Sequence, residues 1–235
     1  MQKILSQLRK AITDFNMIKD GDKIAVGLSG GKDSITLATA LKMYQRFSPE
    51  KFELKAIIID LFNGKTDYST LLEYCKEIGL DVVVVPSEIN DIVFNVRKEK
   101  NPCSLCAKLR RGILNSKAKE LGFNKVALGH HSDDLVETFL LSLFYEGRLS
   151  TFSPVTYLSN TQITVIRPMM YVSEQNVIRV SSTMPIIHNC CPADKHTQRQ
   201  FIKDLLNGLD KDVPAVKQRI LDALLHPERN KLITK

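Results

Sequence analysis

Five short apolar or β-branched runs, Lys23 to Leu28, Leu54 to Asp60, Asp81 to Pro86, Lys125 to Gly129 and Thr164 to Arg167, alternate along the chain with longer segments of helical periodicity. That alternation is the strongest restriction on what the chain can become. Most of the runs lack a polar alternation, so both faces of each strand must be covered, as in a parallel sheet layered with helices. The intervening helical segments are Ser34 to Arg46, Tyr68 to Ile78, Leu105 to Leu121 and Asp134 to Tyr145, with an amphipathic leader from Met1 to Asn16. The expected fold is therefore α/β: a doubly wound, mainly parallel five-stranded sheet with helices on both faces. Two further helices, Thr197 to Leu209 and Val213 to Leu225, end the chain. Residues 1–196 then form the main domain, and 197–235 form a helical extension packed on it.

In such a sheet, ligands gather beyond the carboxyl ends of the strands. Ser29-Gly30-Gly31-Lys32-Asp33-Ser34 follows the first strand and opens a helix. The glycines offer phosphate oxygens a close approach, the helix start offers N–H donors, and Lys32 and the two serines add charge and hydroxyls. The spacing is neither the Gly-x-x-x-x-Gly-Lys-Ser/Thr loop nor the Gly-x-Gly-x-x-Gly dinucleotide turn. Asp60 ends the second strand and Gly129-His130-His131 follows the fourth, so both are expected at the same edge. Asp33, Asp133 and Asp134 are candidates to hold Mg²⁺, although a paired aspartate at a helix start is also a common N-cap. The two histidines can simply shape their turn.

With 235 residues and 43% hydrophobic content, a substantial core is available. No apolar stretch approaches the roughly 20 residues that cross a bilayer, and no signal-like segment leads the chain, so no membrane partner and a cytoplasmic location are expected. The formal charge of +7 favours polyanionic partners. The basic residues crowd around a Cys-x-x-Cys: Arg97, Lys98, Lys100, Lys108, Arg110, Arg111, Lys117 and Lys119. Tryptophan is absent, and broad base-stacking platforms are not indicated.

Of the five cysteines, Cys75 lies among apolar neighbours and reads as a core filler. Cys103 and Cys106 begin a helix, where the dipole favours thiolates, and taken alone they fit zinc, an iron-sulfur cluster or redox chemistry. Cys190 and Cys191 are adjacent, and two adjacent cysteines rarely both reach one ion. If only one ligates, the site has three thiolates. That set leaves structural zinc incomplete but suits a 4Fe-4S cluster with one open iron, with zinc and unliganded thiols as the alternatives.

Three motifs together resemble a known family. Ser29-Gly30-Gly31-Lys32-Asp33-Ser34, Cys103-Ser104-Leu105-Cys106 running into Leu109-Arg110-Arg111-Gly112, and Gly129-His130-His131-Ser132-Asp133-Asp134 are similar to those of the TtcA-like tRNA 2-thiocytidine synthetases, a branch of the PP-loop ATPases. Ile166-Arg167-Pro168, Pro185-Ile186-Ile187 and Gln198-Arg199-Gln200 extend the likeness over nearly the whole chain. The resemblance implies ATP cleaved between its α and β phosphates, with ATP held by Ser29, Gly30, Gly31, Lys32, Asp33, Ser34, Asp60, Gly129 and Asp134, and with Mg²⁺. It implies a 4Fe-4S cluster on Cys103, Cys106 and a third ligand, assigned to Cys191 with Cys190 as its competitor. The reaction it implies is adenylation of the C2 oxygen of a tRNA cytidine followed by replacement with sulfur, with Asp33, Arg110 and Asp133 as catalytic residues. Implied partners are tRNA and a sulfur donor such as a cysteine desulfurase or sulfide, and a homodimer is compatible. Two rival functions keep the nucleotide loop: adenylation of another substrate, of 2-thiouridine or lysidine type, and a non-catalytic ATP- and metal-binding sensor. One departure concerns RNA: Gly147 to Leu158 carries only Arg148 as a basic residue, where longer members have a lysine-rich loop.

Overall fold

The strands of a computed structural model, which describes residues 1–97, 102–187 and 198–229, assemble into one mixed sheet. In chain order they are β1 (Lys23–Gly27), β2 (Glu53–Asp60), β3 (Val82–Pro86), β4 (Lys125–Ala127), β5 (Val155–Leu158) and β6 (Ile163–Ile166). Their spatial order is β3-β2-β1-β4-β6-β5. All neighbours run parallel except β5, which pairs antiparallel with β6, Tyr157 opposite Thr164.

The expected sheet of five strands therefore gains a sixth. β5 falls in a stretch that the sequence presents as a loop, and its physical character explains the difference. It is a four-residue edge strand with Tyr157 63% exposed, so it needs no run of apolar residues. Its register comes from the short return through Gln162, held at φ +55°, rather than from a buried face.

Helices α1 (Gln2–Asp14), α2 (Lys32–Tyr44), α3 (Ser69–Glu77), α4 (Ile89–Asp91), α5 (Pro102–Glu120), α6 (Ser132–Leu141), α7 (Glu174–Ser181), α8 (Gln198–Leu209) and α9 (Val216–Leu225) cover the sheet. α4 and α6 continue as π-helical turns over Ile92–Val96 and Ser142–Glu146. Strand periodicity divides the core into two layers. Ile24, Val26, Ala56 and Ile58 join the cluster with α1, α2, α6, α7 and α8, whereas Ala25, Ile57, Ile59 and Val126 join the one with α5. Each fully buried aliphatic side chain contributes about 1.5–3 kcal/mol, so both layers hold the sheet. This two-sided cover fixes where the carboxyl ends of β1, β2 and β4 open.

Among the described residues, no helix is long and apolar enough to cross a membrane.

Candidate active site

The turn after β1 is built by its own hydroxyls. Ser34 Oγ donates to Gly31 O at 2.9 Å and accepts from Ser29 N at 3.0 Å, and the Ser29 and Ser34 hydroxyls lie 3.0 Å apart. Gly30 stands at φ +81°, and a Cβ there would come within 2.9 Å of Ile187 Cβ, whose own N–H donates to Gly30 O at 2.9 Å. Gly31 caps α2 without a side chain, so no side-chain acceptor consumes the amides of the first turn. Gly129, following β4, completes the cradle: a Cβ on it would sit 2.9 Å from Asp33 O.

Across that contact lies the start of α6. The N-cap is His131, not an aspartate; its Nδ1 accepts from Asp134 N at 3.3 Å while Asp134 Oδ2 accepts from His131 N at 3.1 Å. An accepting Nδ1 leaves the proton on Nε2, which faces Asp33 Oδ1 at 3.6 Å and Asp134 Oδ2 at 3.5 Å. Asp33 Oδ1 is buried without a hydrogen-bond partner. An orphaned carboxylate oxygen beside a second carboxylate suits a divalent cation, which would satisfy both.

A cavity of about 500 Å³ opens over this cradle. Gly27, Ile57, Ile59, Leu114 and Leu128 make one apolar end, and Ser29, Asp33, Ser34 and Asp134 make the polar end. Ala107, Arg110 and Arg111 on α5 form a wall. Cys103 and Cys106 begin the same helix, three residues apart and so on one side; Cys103 is exposed and Cys106 is half-buried against the α5 core. The placement fits a ligand pair beside the cavity. Cys190 and Cys191 lie outside the described residues. Among the described residues, no group of three His, Cys, Asp or Glu side chains converges as a metal site. Cys75 is buried, and burial pushes its thiol up to about 11, as suits a core filler.

Asp60 and Asp133, both expected at the site, turn away from the cavity. Asp60 is 1% exposed, and its carboxylate accepts from Phe62 N, Gly64 N, Thr66 Oγ1 and Tyr68 OH, which ties down the 61–68 loop. Strand alternation is the cause: Asp60 shares a face with Ala56 and Ile58, while Ile57 and Ile59 turn toward the cavity. Asp133 points the other way along α6. Its Oδ2 accepts from Glu174 N at 2.7 Å at the start of α7, and its Oδ1 meets Lys217 Nζ at 3.4 Å. Asp33, Asp134 and Arg110 do meet around one space.

Glu137, Glu174, Arg199 and Lys203, none of them an expected site residue, complete the surroundings together with Lys32. Lys32 Nζ bridges Asp33 and Glu174, each at 3.1 Å. Lys203 joins Glu174 at 3.1 Å to Glu137 at 3.7 Å, and Arg199 joins Glu137 at 2.8 Å to Asp134 at 3.3 Å. With His131 between Asp134 and Asp33, the eight side chains close a ring of alternating acids and bases. Burial alone would raise the Glu174 carboxyl, but hydrogen bonds from Lys203 and Lys32 outweigh it and hold the group at about 2. Glu137 moves the other way, raised chiefly by burial against the pull of Lys203 and Arg199. Lys32, Asp33, His131, Asp134 and Arg199 fall in motifs of the sequence, whereas Glu137, Glu174 and Lys203 carry no signal beyond the i, i+4 spacing of Arg199 and Lys203 on α8.

His130 lines the cavity beside Phe152, ring centroids 4.9 Å apart, and Arg167 lies over that phenyl ring at 5.1 Å. Burial pushes the imidazole down to about 4, and Arg167 and Arg199 add to the effect against the pull of Asp134. A folded-state value below the ordinary 6.5 means that the folded protein resists protonation there. Stability from this group is therefore full above pH 6.5 and is lost as pH falls toward 4. Denaturant midpoints of the native chain should drop across that window, and His130→Gln should flatten the drop; an unchanged pH profile would contradict the assignment.

A glycine-bearing phosphate cradle at the carboxyl edge of a doubly wound sheet, with paired carboxylates opposite it, defines a nucleotide-binding protein of the PP-loop class. The sequence matches the family described as a PP-loop domain over residues 1–207. It is 40% identical over 228 residues to the tRNA-cytidine(32) 2-sulfurtransferase of Geobacter sulfurreducens, covering 95% of this chain and 89% of that protein. It is 43% identical over 209 residues to the enzyme of the same name from Vibrio cholerae, covering 87% of this chain and 67% of that one. Among solved structures, the U34-tRNA thiolase NcsA from Methanococcus maripaludis, with its [4Fe-4S] cluster, superposes with a TM-score of 0.76 at 25% identity, over 98% of this chain and 80% of that one. The chain belongs to the PP-loop family that includes the tRNA-cytidine(32) 2-sulfurtransferases.

Proposed function

We propose that this chain is an ATP-dependent tRNA sulfurtransferase that converts a cytidine of the anticodon loop, position 32 by the name of its relatives, to 2-thiocytidine. The observation that carries the reading is the single cavity shared by the Ser29–Ser34 turn, Arg110 and the helix that begins with Cys103 and Cys106. In this reading the phosphates of ATP lie on the turn and its adenine fills the apolar end between Ile57, Ile59 and Leu128. Asp33 and Asp134 hold the Mg²⁺ that neutralises the departing pyrophosphate. The C2 oxygen of the cytosine attacks the α-phosphorus, pyrophosphate leaves, and the oxygen becomes part of an AMP leaving group. Arg110, four residues beyond Cys106, faces the negative charge that develops on the phosphorus and its oxygens.

Cys103, Cys106 and Cys191, or Cys190 in its place, would hold a 4Fe-4S cluster, which supplies the sulfur that replaces the activated oxygen. The chain's own residues bind, orient and shield the adenylated base. Cytosine reaches such a cavity most cheaply from an unpaired loop, where little stacking is lost. Free sulfide, or a cysteine desulfurase whose persulfide sulfur is reduced by two electrons from a thiol, would renew the sulfur, in the cytoplasm, and a homodimer is compatible with this scheme.

Mass spectrometry of tRNA nucleosides from cells lacking the protein tests the reading. Loss of 2-thiocytidine, restored by the intact gene, is the expected result. An unchanged nucleoside profile would sink the tRNA assignment while leaving nucleotide binding intact.

A further inference from the structure

Arg199 lies in the cavity without a part in the transfer just described. It stands on the first turn of α8 and lines the same space as Ser29, Asp33, Ser34 and Asp134, with Arg110 and Arg111 contributed from α5. Its guanidinium is fixed by three hydrogen bonds: Nη1 donates to Glu137 Oε2 at 2.8 Å and to Asp134 Oδ1 at 3.3 Å, and Nη2 donates to Thr138 Oγ1 at 3.3 Å. A guanidinium carries five N–H donors, and the side chain is 41% exposed, so part of the fork remains turned to the cavity.

The anchor is informative. Glu137 is fully buried, and a buried carboxylate is a costly way to join two helices, because its desolvation offsets most of the attraction it gains. Docking of α8 does not require it, since Ile202 and Leu206 are also fully buried in the core that α6 shares. What an ion pair adds beyond apolar packing is direction: it fixes the plane and position of the guanidinium. A planar fork held rigidly near a phosphate cradle matches two oxygens of a phosphate group and loses little rotamer freedom on binding.

We propose that Arg199 is a polyphosphate-binding residue of this site, contacting the β and γ phosphates of ATP and the pyrophosphate that leaves, with Glu137 and Thr138 setting its orientation. The inference rests on the ATP-dependent reading above and adds to it a residue from α8, which shares a core with α2 and α6.

Titration calorimetry on the full chain with ATP, inorganic pyrophosphate and adenosine tests it, with thermal melts to establish that each variant is folded. Arg199→Gln should weaken ATP and pyrophosphate by about 10- to 100-fold, the worth of a charge-assisted contact, and leave adenosine within about twofold. Arg199→Lys keeps the charge but not the fork and should recover only part of the affinity; it also serves if the glutamine variant fails to fold. Equal loss for ATP and adenosine, or native ATP affinity in a folded Arg199 variant, would overturn the proposal. If the native chain bound neither ATP nor pyrophosphate, the ATP-dependent reading itself would fail, a result distinct from failure of the arginine alone.

Discussion

Replacing Cys106 by alanine should reduce tRNA thiolation by roughly three orders of magnitude, to background, while leaving ATP binding within about twofold of the native protein. The separation of the two effects follows from α5. Cys106 is half-buried on the first turns of that helix, whereas the cavity wall is made further along by Ala107, Arg110, Arg111 and Leu114. Removing one sulfur from the helix start takes away a proposed cluster ligand without moving the wall, and alanine favours the helix. Cys103 is more exposed, and its alanine variant should behave alike in activity with an even smaller effect on stability. The measurements are 2-thiocytidine formed per tRNA, iron bound per chain after anaerobic purification, and nucleotide affinity by calorimetry. Undiminished thiolation by Cys106→Ala would remove the thiolate pair from the chemistry and leave an adenylating enzyme of another kind.

How far the sequence alone reveals such a site depends on which interactions are local. The phosphate turn is legible because every group that shapes it, from Ser29 to Ser34, lies within one turn of chain, and its hydrogen bonds close on themselves. The inner strands are legible because burial on both faces demands continuous apolar residues, as in Ala56 to Ile59. β5 escapes the same logic, since an edge strand with a solvent-facing tyrosine carries no such demand. Asp60 is legible only in part: its position at a strand end is visible, but which face it takes depends on register, and its carboxylate faces the 61–68 loop. The ring joins residues as far apart as Lys32 and Glu174, 142 positions, and three of its members, Glu137, Glu174 and Lys203, lie in no motif. Non-local charge pairing is set by helix packing, which the chain specifies only through its apolar faces.

Asp33 and Asp133 put that distinction to a quantitative test, because the motifs nominate both and the fold separates them. Asp33→Asn should slow adenylation, read as pyrophosphate release, by roughly 10²- to 10³-fold and shift the Mg²⁺ requirement upward, with a melting temperature near the native value. The carboxylate occupies the cradle with one oxygen on Lys32 at 3.1 Å and the other buried without a hydrogen bond, 3.6 Å from His131 Nε2, an arrangement that suits a cation. Asparagine keeps the volume and one acceptor but halves the case for a metal. Asp133→Ala should behave in the opposite sense. Its carboxylate accepts from the first amide of α7 and meets Lys217, so its loss costs about 1 kcal/mol of stability, as a lost helix cap does, and leaves the Mg²⁺ dependence of pyrophosphate release unchanged. If the two variants exchanged these behaviours, the cation would belong with Asp133 on the α7 side of α6. The Ser29–Ser34 turn would then bind phosphate without a metal beside it, and charge neutralisation would fall to Lys32 and the arginines of the cavity.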